Sequence, residues 1–223
     1  MTVQANFQQL SVSRVPISVT LVFVSCTHAK AIKRPAFCPP IRIFSFACGL
    51  LRYTSPMRVL GIDCGTEYTG YGVVELCPEG ELVYIVCGAI KLSPREAMSS
   101  RLSKVFTQLG AVIEEHHPDY VAIEDVFYAV NVKSALKLGQ VRGVAMLAAS
   151  TAGLGVAEYS PLSIKSAVVG YGKAEKHQVQ HMVTQLLKLE RAPESPDAAD
   201  ALAIAICHLH TSATLERQQA VGK

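Results

Sequence analysis

The chain has 223 residues, half of them hydrophobic and 17% charged, with a formal net charge of +3. That composition suits a globular protein with one sizeable core and argues against a largely disordered chain. Its seven cysteines include no C-x-x-C pair, which argues against a zinc ribbon or a disulfide framework and for reduced, buried thiols in a cytosolic protein.

The charge is unevenly spread. Residues 1–56 hold six Lys or Arg and no Asp or Glu, whereas 126–191 hold eight basic residues against three acidic ones. Nucleic-acid binding needs a basic face rather than a basic total, and 126–191 is the candidate face. A solvated basic surface is the alternative on charge alone.

The first 56 residues differ from the rest. The apolar run Val15–Cys26 is too short for a membrane span, and no membrane association is expected. A secretory signal and a transit peptide are both conceivable. The reading adopted is that the natural chain starts at Met57, because Pro39-Pro40 and Ser55-Pro56 break any fold here. Mass spectrometry of the native N-terminus tests this. The segment is left out of the functional reasoning.

From Met57 the elements follow in order. Arg58–Asp63 reads as a short apolar strand, Thr69–Leu76 as a second and Leu82–Leu92 as a third. Their hairpin-length connections predict an antiparallel meander. Arg95–His117 has helical periodicity and stops at Pro118. Tyr120–Glu124 is a buried strand expected to run parallel to the first. Ser134–Thr151 is a helix, Val156–Tyr159 a fifth strand, Glu175–Leu189 an amphipathic helix and Pro196–His210 the last helix. Residues 212–223 are predicted to be a polar, frayed tail. The fold class is α/β: a mixed five-stranded sheet flanked by helices.

Four carboxylates stand out. Asp63 and Glu124 end apolar strands that should be neighbours. Asp197 and Asp200 lie three apart on one face at the start of the last helix. Acids at the ends of core elements are costly unless their charge is offset, and oxygen-only ligands favour magnesium, manganese or calcium. Each acid has a blander reading. Asp63 suits a turn, Glu124 solvent, and Asp197 a first helical turn after Ser195 and Pro196. As a set they fit phosphodiester hydrolysis, in which two divalent ions roughly 3.5–4 Å apart activate water and stabilise the leaving oxygen.

Phe127-Tyr128 should follow Glu124 on a loop, where an aromatic ring can stack on bases or cap the core. Lys165, Lys173 and Lys176 flank Gly170-Tyr171-Gly172, a pattern that suits phosphate contacts or plain solvation. His177 and His181 lack a third ligand for zinc. His208 and His210 are expected at a helix C-terminus.

Five stretches resemble RuvC, the family of bacterial Holliday-junction resolvases. They are Met57-Arg-Val-Leu-Gly-Ile-Asp-Cys-Gly-Thr, Thr69-Gly-Tyr-Gly-Val, Ala122-Ile-Glu-Asp-Val-Phe, Ser134-Ala-Leu-Lys-Leu-Gly-Gln-Val-Arg-Gly-Val and Asp197-Ala-Ala-Asp-Ala-Leu-Ala-Ile-Ala. The likeness runs from Met57 to about His210. It implies an RNase H-like nuclease domain over 57–211 and a homodimer that nicks four-way junction DNA symmetrically in recombination and repair. It also implies magnesium dependence, with manganese as a substitute and two ions per site, and partnership with the RuvA–RuvB branch-migration complex in the cytoplasm. By the resemblance Asp63, Glu124, Asp197 and Asp200 are the catalytic, metal-binding quartet. Phe127 contacts bases, and Lys165 and Lys176 support catalysis and DNA binding. The alternatives are a YqgF-type nuclease acting on RNA, an actin-type ATP-binding fold and a non-catalytic junction binder.

Overall fold

A computed structural model describes residues 55–125 and 132–221. The strands are β1 (Met57–Asp63), β2 (Tyr68–Leu76), β3 (Leu82–Lys91), β4 (Tyr120–Glu124) and β5 (Gly155–Tyr159). The helices are α1 (Met98–His116), α2 (Val132–Thr151), α3 (Pro161–Val169), α4 (Lys176–Leu186) and α5 (Pro196–Val221). The sheet order is β3-β2-β1-β4-β5. β1, β2 and β3 form the antiparallel meander, while β4 runs parallel to both β1 and β5.

Alternation along the strands sends successive side chains to opposite faces. On one face Leu60, Ile62, Val73, Val121 and Ile123 pack against α1 and α2. On the other, Val59, Val74 and Ala122 pack against α3, α4 and α5. Helix α5 lies directly on the sheet here. A Cβ on Gly61 would collide with the carbonyl oxygen of Ala201, and one on Gly70 with that of Asp197. These glycines let helix and strand backbones approach more closely than any side chain allows.

Three expectations are corrected. Helix α3 falls where no element was expected. Its sequence, PLSIKSAVV, carries apolar residues on most sides and so shows no clean period. Its start does carry a signal, because Ser160 Oγ accepts from Ser163 N at 3.1 Å and Pro161 takes the first helical position. The last helix does not stop at His210 but continues to Val221, so most of the expected polar tail is helical. Leu215-Glu-Arg-Gln-Gln-Ala is built from good helix formers, and polarity alone does not end a helix. His208 and His210 therefore sit inside the helix. His208 is buried and bonds Tyr159 Oη through Nδ1 at 3.0 Å, and His210 Nδ1 lies 3.0 Å from the Ala167 carbonyl.

No disulfide joins Cys64, Cys87 or Cys207; Cys207 is buried, while Cys64 and Cys87 are only half-buried. No helix among the described residues is long and apolar enough to cross a membrane.

Candidate active site

β1 and β4 end side by side. Ile62 pairs with Ile123, so Asp63 and Glu124 are the next residues on two parallel neighbours and share the α5 face. The turn after Asp63 is closed by buried Thr69, whose Oγ1 donates to the Gly65 carbonyl at 3.3 Å. A glycine at this position lets a backbone or a phosphate approach closely. The backbone it admits is the chain's own, since a Cβ there would strike the Tyr68 carbonyl.

Helix α5 supplies the other two acids. Asp197 lies in its first turn, where it accepts from Ser195 Oγ at 3.3 Å. Asp200 is one turn further on and pairs with Lys176, Nζ to Oδ2 2.5 Å, from the start of α4. Buried Ala198, Ala199 and Ala201 let this turn of the helix press against the strands.

The charges act on one another. Asp63 has its pKa pushed up to about 7, first by burial and then by the negative charges of Glu124, Asp200 and Asp197, with Lys176 opposing. Glu124 is also raised, by burial and by Asp200, against the pull of Lys165 and Lys176. Lys176 is held above its ordinary value chiefly by its hydrogen bond to Asp200. The other three acids thus all bear on Asp63, and the negative charge there exceeds what one paired ammonium offsets. Cys64, next in the chain, is no rival nucleophile, because burial and Asp63 push its thiol up to about 12.

Glu124, Lys165, Lys176 and Asp200 line an open cleft of about 180 Å³, backed by Ile164, Val179 and Ala203. Asp63 and Asp197 stand outside that lining. The quartet converges without closing into a cage: among the described residues no three His, Cys, Asp or Glu side chains form a ready ligand set. Lys176 already holds one Asp200 oxygen and Ser195 donates to one oxygen of Asp197.

The other expected residues divide. Lys165 reaches the cleft from α3. Lys173 is exposed between α3 and α4, away from the cleft lining. Phe127 lies outside the described residues. His177 and His181 are both exposed, and His177 Nδ1 sits 3.3 Å from Glu175.

One residue escaped the sequence reading. Arg142 of α2 donates from Nε to the Glu124 carbonyl at 3.3 Å, bonds the Glu158 carboxylate, and lies 3.5 Å from Asp125 Oδ1. A signal was present: it is the only Lys, Arg, Asp or Glu between Leu138 and Thr151.

Comparison with known proteins extends these observations. A family model described as crossover junction endodeoxyribonuclease RuvC matches residues 59–208. The crossover junction endodeoxyribonuclease RuvC of Koribacter versatilis is 65% identical over 164 residues, covering 74% of this chain and 99% of the relative. The solved structure of Thermus thermophilus RuvC superposes with a TM-score of 0.67 at 34% identity, over 71% of this chain and 96% of that one. The same protein in complex with a Holliday junction substrate gives a TM-score of 0.65 at 32% identity, with the same shares covered. The fold is accordingly RNase H-like.

Proposed function

The chain belongs to the RuvC family of crossover junction endodeoxyribonucleases, and from that membership we propose that it resolves four-way (Holliday) DNA junctions by paired, symmetric, metal-dependent nicks. The observation that carries the reading is the convergence of acids from β1, β4 and α5 at one end of the sheet, beside two lysines. The nuclease domain is assigned to residues 57–211, and its work to recombination and repair in the cytoplasm.

Asp63, Glu124, Asp197 and Asp200 are the proposed catalytic and metal-binding residues. Their chemistry fits a hard divalent cation, being oxygen-only and carrying more negative charge than Lys176 offsets. The cofactor assigned is magnesium, two ions per site, with manganese as a substitute. Bound there, such ions lower the pKa of the attacking water and stabilise the leaving oxygen.

The protein's own groups do the rest. Asp63 and Glu124 hold their carboxylates at strand ends that sheet pairing fixes. Lys165 and Lys176 bring positive charge to the cleft, where it favours approach of a phosphate. Lys173 serves as an outer phosphate contact and Phe127 as the contact to bases.

Dimerisation has a surface that suits it. Helix α2 buries Val141, Ala145, Ala148 and Ala149 against α1 and the sheet. Its opposite side leaves Val132 74%, Leu136 66% and Leu147 56% exposed. Gly139 and Gly143 fall on that same outer face, with open space above them. A helix apolar on both sides is covered on both sides, and we assign the outer cover to a second copy of the chain. Two-fold pairing places two sites at a fixed separation, as symmetric nicking of a four-armed substrate requires. Partnership with RuvA–RuvB belongs to the same proposal.

The test is incubation of the protein with a synthetic four-way junction, a matched duplex and an RNA–DNA hybrid, in magnesium or EDTA. Paired symmetric nicks in the junction alone, lost in EDTA, are the expected outcome. Nicking of the hybrid would move the protein to the RNA-directed alternative.

A further inference from the structure

The Glu124 carboxylate feels burial and neighbouring charges, and among the described residues no hydrogen bond to it contributes. Its position therefore depends on the backbone that carries it. That backbone lies at the last residue of β4, where regular pairing runs out. Asp125 N still donates to the Tyr159 carbonyl at 2.8 Å, and the next six residues separate β4 from α2.

Arg142 meets this strand end from the opposite face of the sheet. One guanidinium gathers three acceptors: the Glu124 carbonyl and the Asp125 carboxylate at the end of β4, and the Glu158 carboxylate on β5. Its side chain is only 17% exposed. A guanidinium is planar and always charged, and its donors keep fixed directions, so the acceptor at Nε and the two at Nη2 are held in a set relation to one another. A lysine in its place would offer a point charge without that geometry.

We infer that Arg142 is a positioning residue: from α2 it clamps the ends of β4 and β5 together and so sets where the Glu124 carboxylate stands. Arg142 stands outside the cleft lining. It acts through Glu124, whose side chain lies on the far face of the same strand. The inference rests on the reading of Glu124 as a metal ligand. It also gives α2 a second task, because one side of that helix holds the strand end and the other is the dimer surface proposed above.

The test uses the full chain with Arg142→Gln, Arg142→Lys and Glu158→Gln. Three quantities are measured: junction affinity in EDTA, manganese binding by calorimetry without DNA, and single-turnover cleavage against magnesium concentration. Loss of an outer-shell partner costs roughly 10–100-fold in metal affinity or activity, and that loss is expected for Arg142→Gln in both manganese binding and cleavage. Junction affinity should stay within about twofold, since no DNA contact is removed. Arg142→Lys should fall between, and Glu158→Gln should show a smaller loss in the same direction.

A folded Arg142→Gln protein with unchanged manganese affinity would overturn the inference. So would a loss of junction affinity matching the loss of cleavage, which would make Arg142 a DNA contact. If Arg142→Gln fails to fold, Glu158→Gln decides, because Glu158 is 44% exposed and removes only one arm of the clamp. Unchanged manganese binding in that variant counts against the clamp. Failure of the wild-type chain to cut junctions would defeat the functional reading instead, and manganese binding would still judge Arg142.

Discussion

On the α5 face of the sheet, Gly61 and Gly70 set strand backbone against helix backbone, whereas on the α1–α2 face the same strands project Leu60, Ile62 and Val73 into a packed aliphatic layer. The first face fixes a distance. The second fills a volume. A volume can be filled by many side chains with little penalty, but a backbone approach tolerates almost no added atom. All four carboxylates belong to the α5 side, so the site stands where spacing is most tightly set.

The contrast can be broken most sharply at the site itself. Asp63→Asn should abolish cleavage and leave junction affinity unchanged, measured by nicking assay and gel shift. The same substitution should raise the melting temperature by several degrees in EDTA at pH 8. The sign follows from the raised pKa. With a folded value of about 7 against an ordinary 3.8, the Asp63 contribution to stability is fully present below about pH 4 and is lost as pH rises through 7. The gain from Asn should therefore be far smaller at pH 5 than at pH 8, and an equal gain at both would refute the assigned cause.

Gly61→Val comes next. Its side chain would meet the Ala201 carbonyl and the Ala205 amide, both backbone atoms that cannot rotate away. Urea unfolding should show a loss of about 3 kcal/mol or more, at or beyond the top of the usual overpacking range. Cleavage should fall with it, because α5 carries Asp197 and Asp200.

A smaller effect is expected at the rim. Lys176→Ala should weaken junction binding and reduce the slope of log affinity against log salt by about one. An unchanged slope would leave Lys176 as the partner of Asp200 alone. The smallest effect belongs to the other face. Ile62→Val, one residue from Gly61, should cost about 1 kcal/mol and leave cleavage unaltered. If Ile62→Val harmed cleavage as much as Gly61→Val, the distinction between the faces would collapse.

Legibility in the sequence follows the same division. The strands and their meander could be read from apolar runs and hairpin-length connections, since both signals are local. Asp63 and Glu124 could be placed side by side because crossover rules make β1 and β4 neighbours. Helix α3 was hidden because apolar residues such as Leu162 lie outside its buried face of Ile164 and Val168 and blur the period. Lys165, which it carries, was accordingly assigned to no element. His208 and His210 were misplaced because polar residues after Thr211 read as an ending. Arg142 was hidden for a different reason. Its acceptors at Glu124, Asp125 and Glu158 are brought to it by sheet pairing, and no spacing along the chain reveals them.

The docking of α5 on β1 has a consequence for the protein's birth. Asp63 and Asp197 are 134 residues apart (197 − 63), one on the first strand and one on the last helix. During synthesis the acids of β1 and β4 leave the ribosome long before α5 does. Until that helix folds onto Gly61 and Gly70, the chain holds half of its acids and no finished site. A nascent or truncated chain is thus an inert nuclease, and cutting power arrives only with the completed molecule.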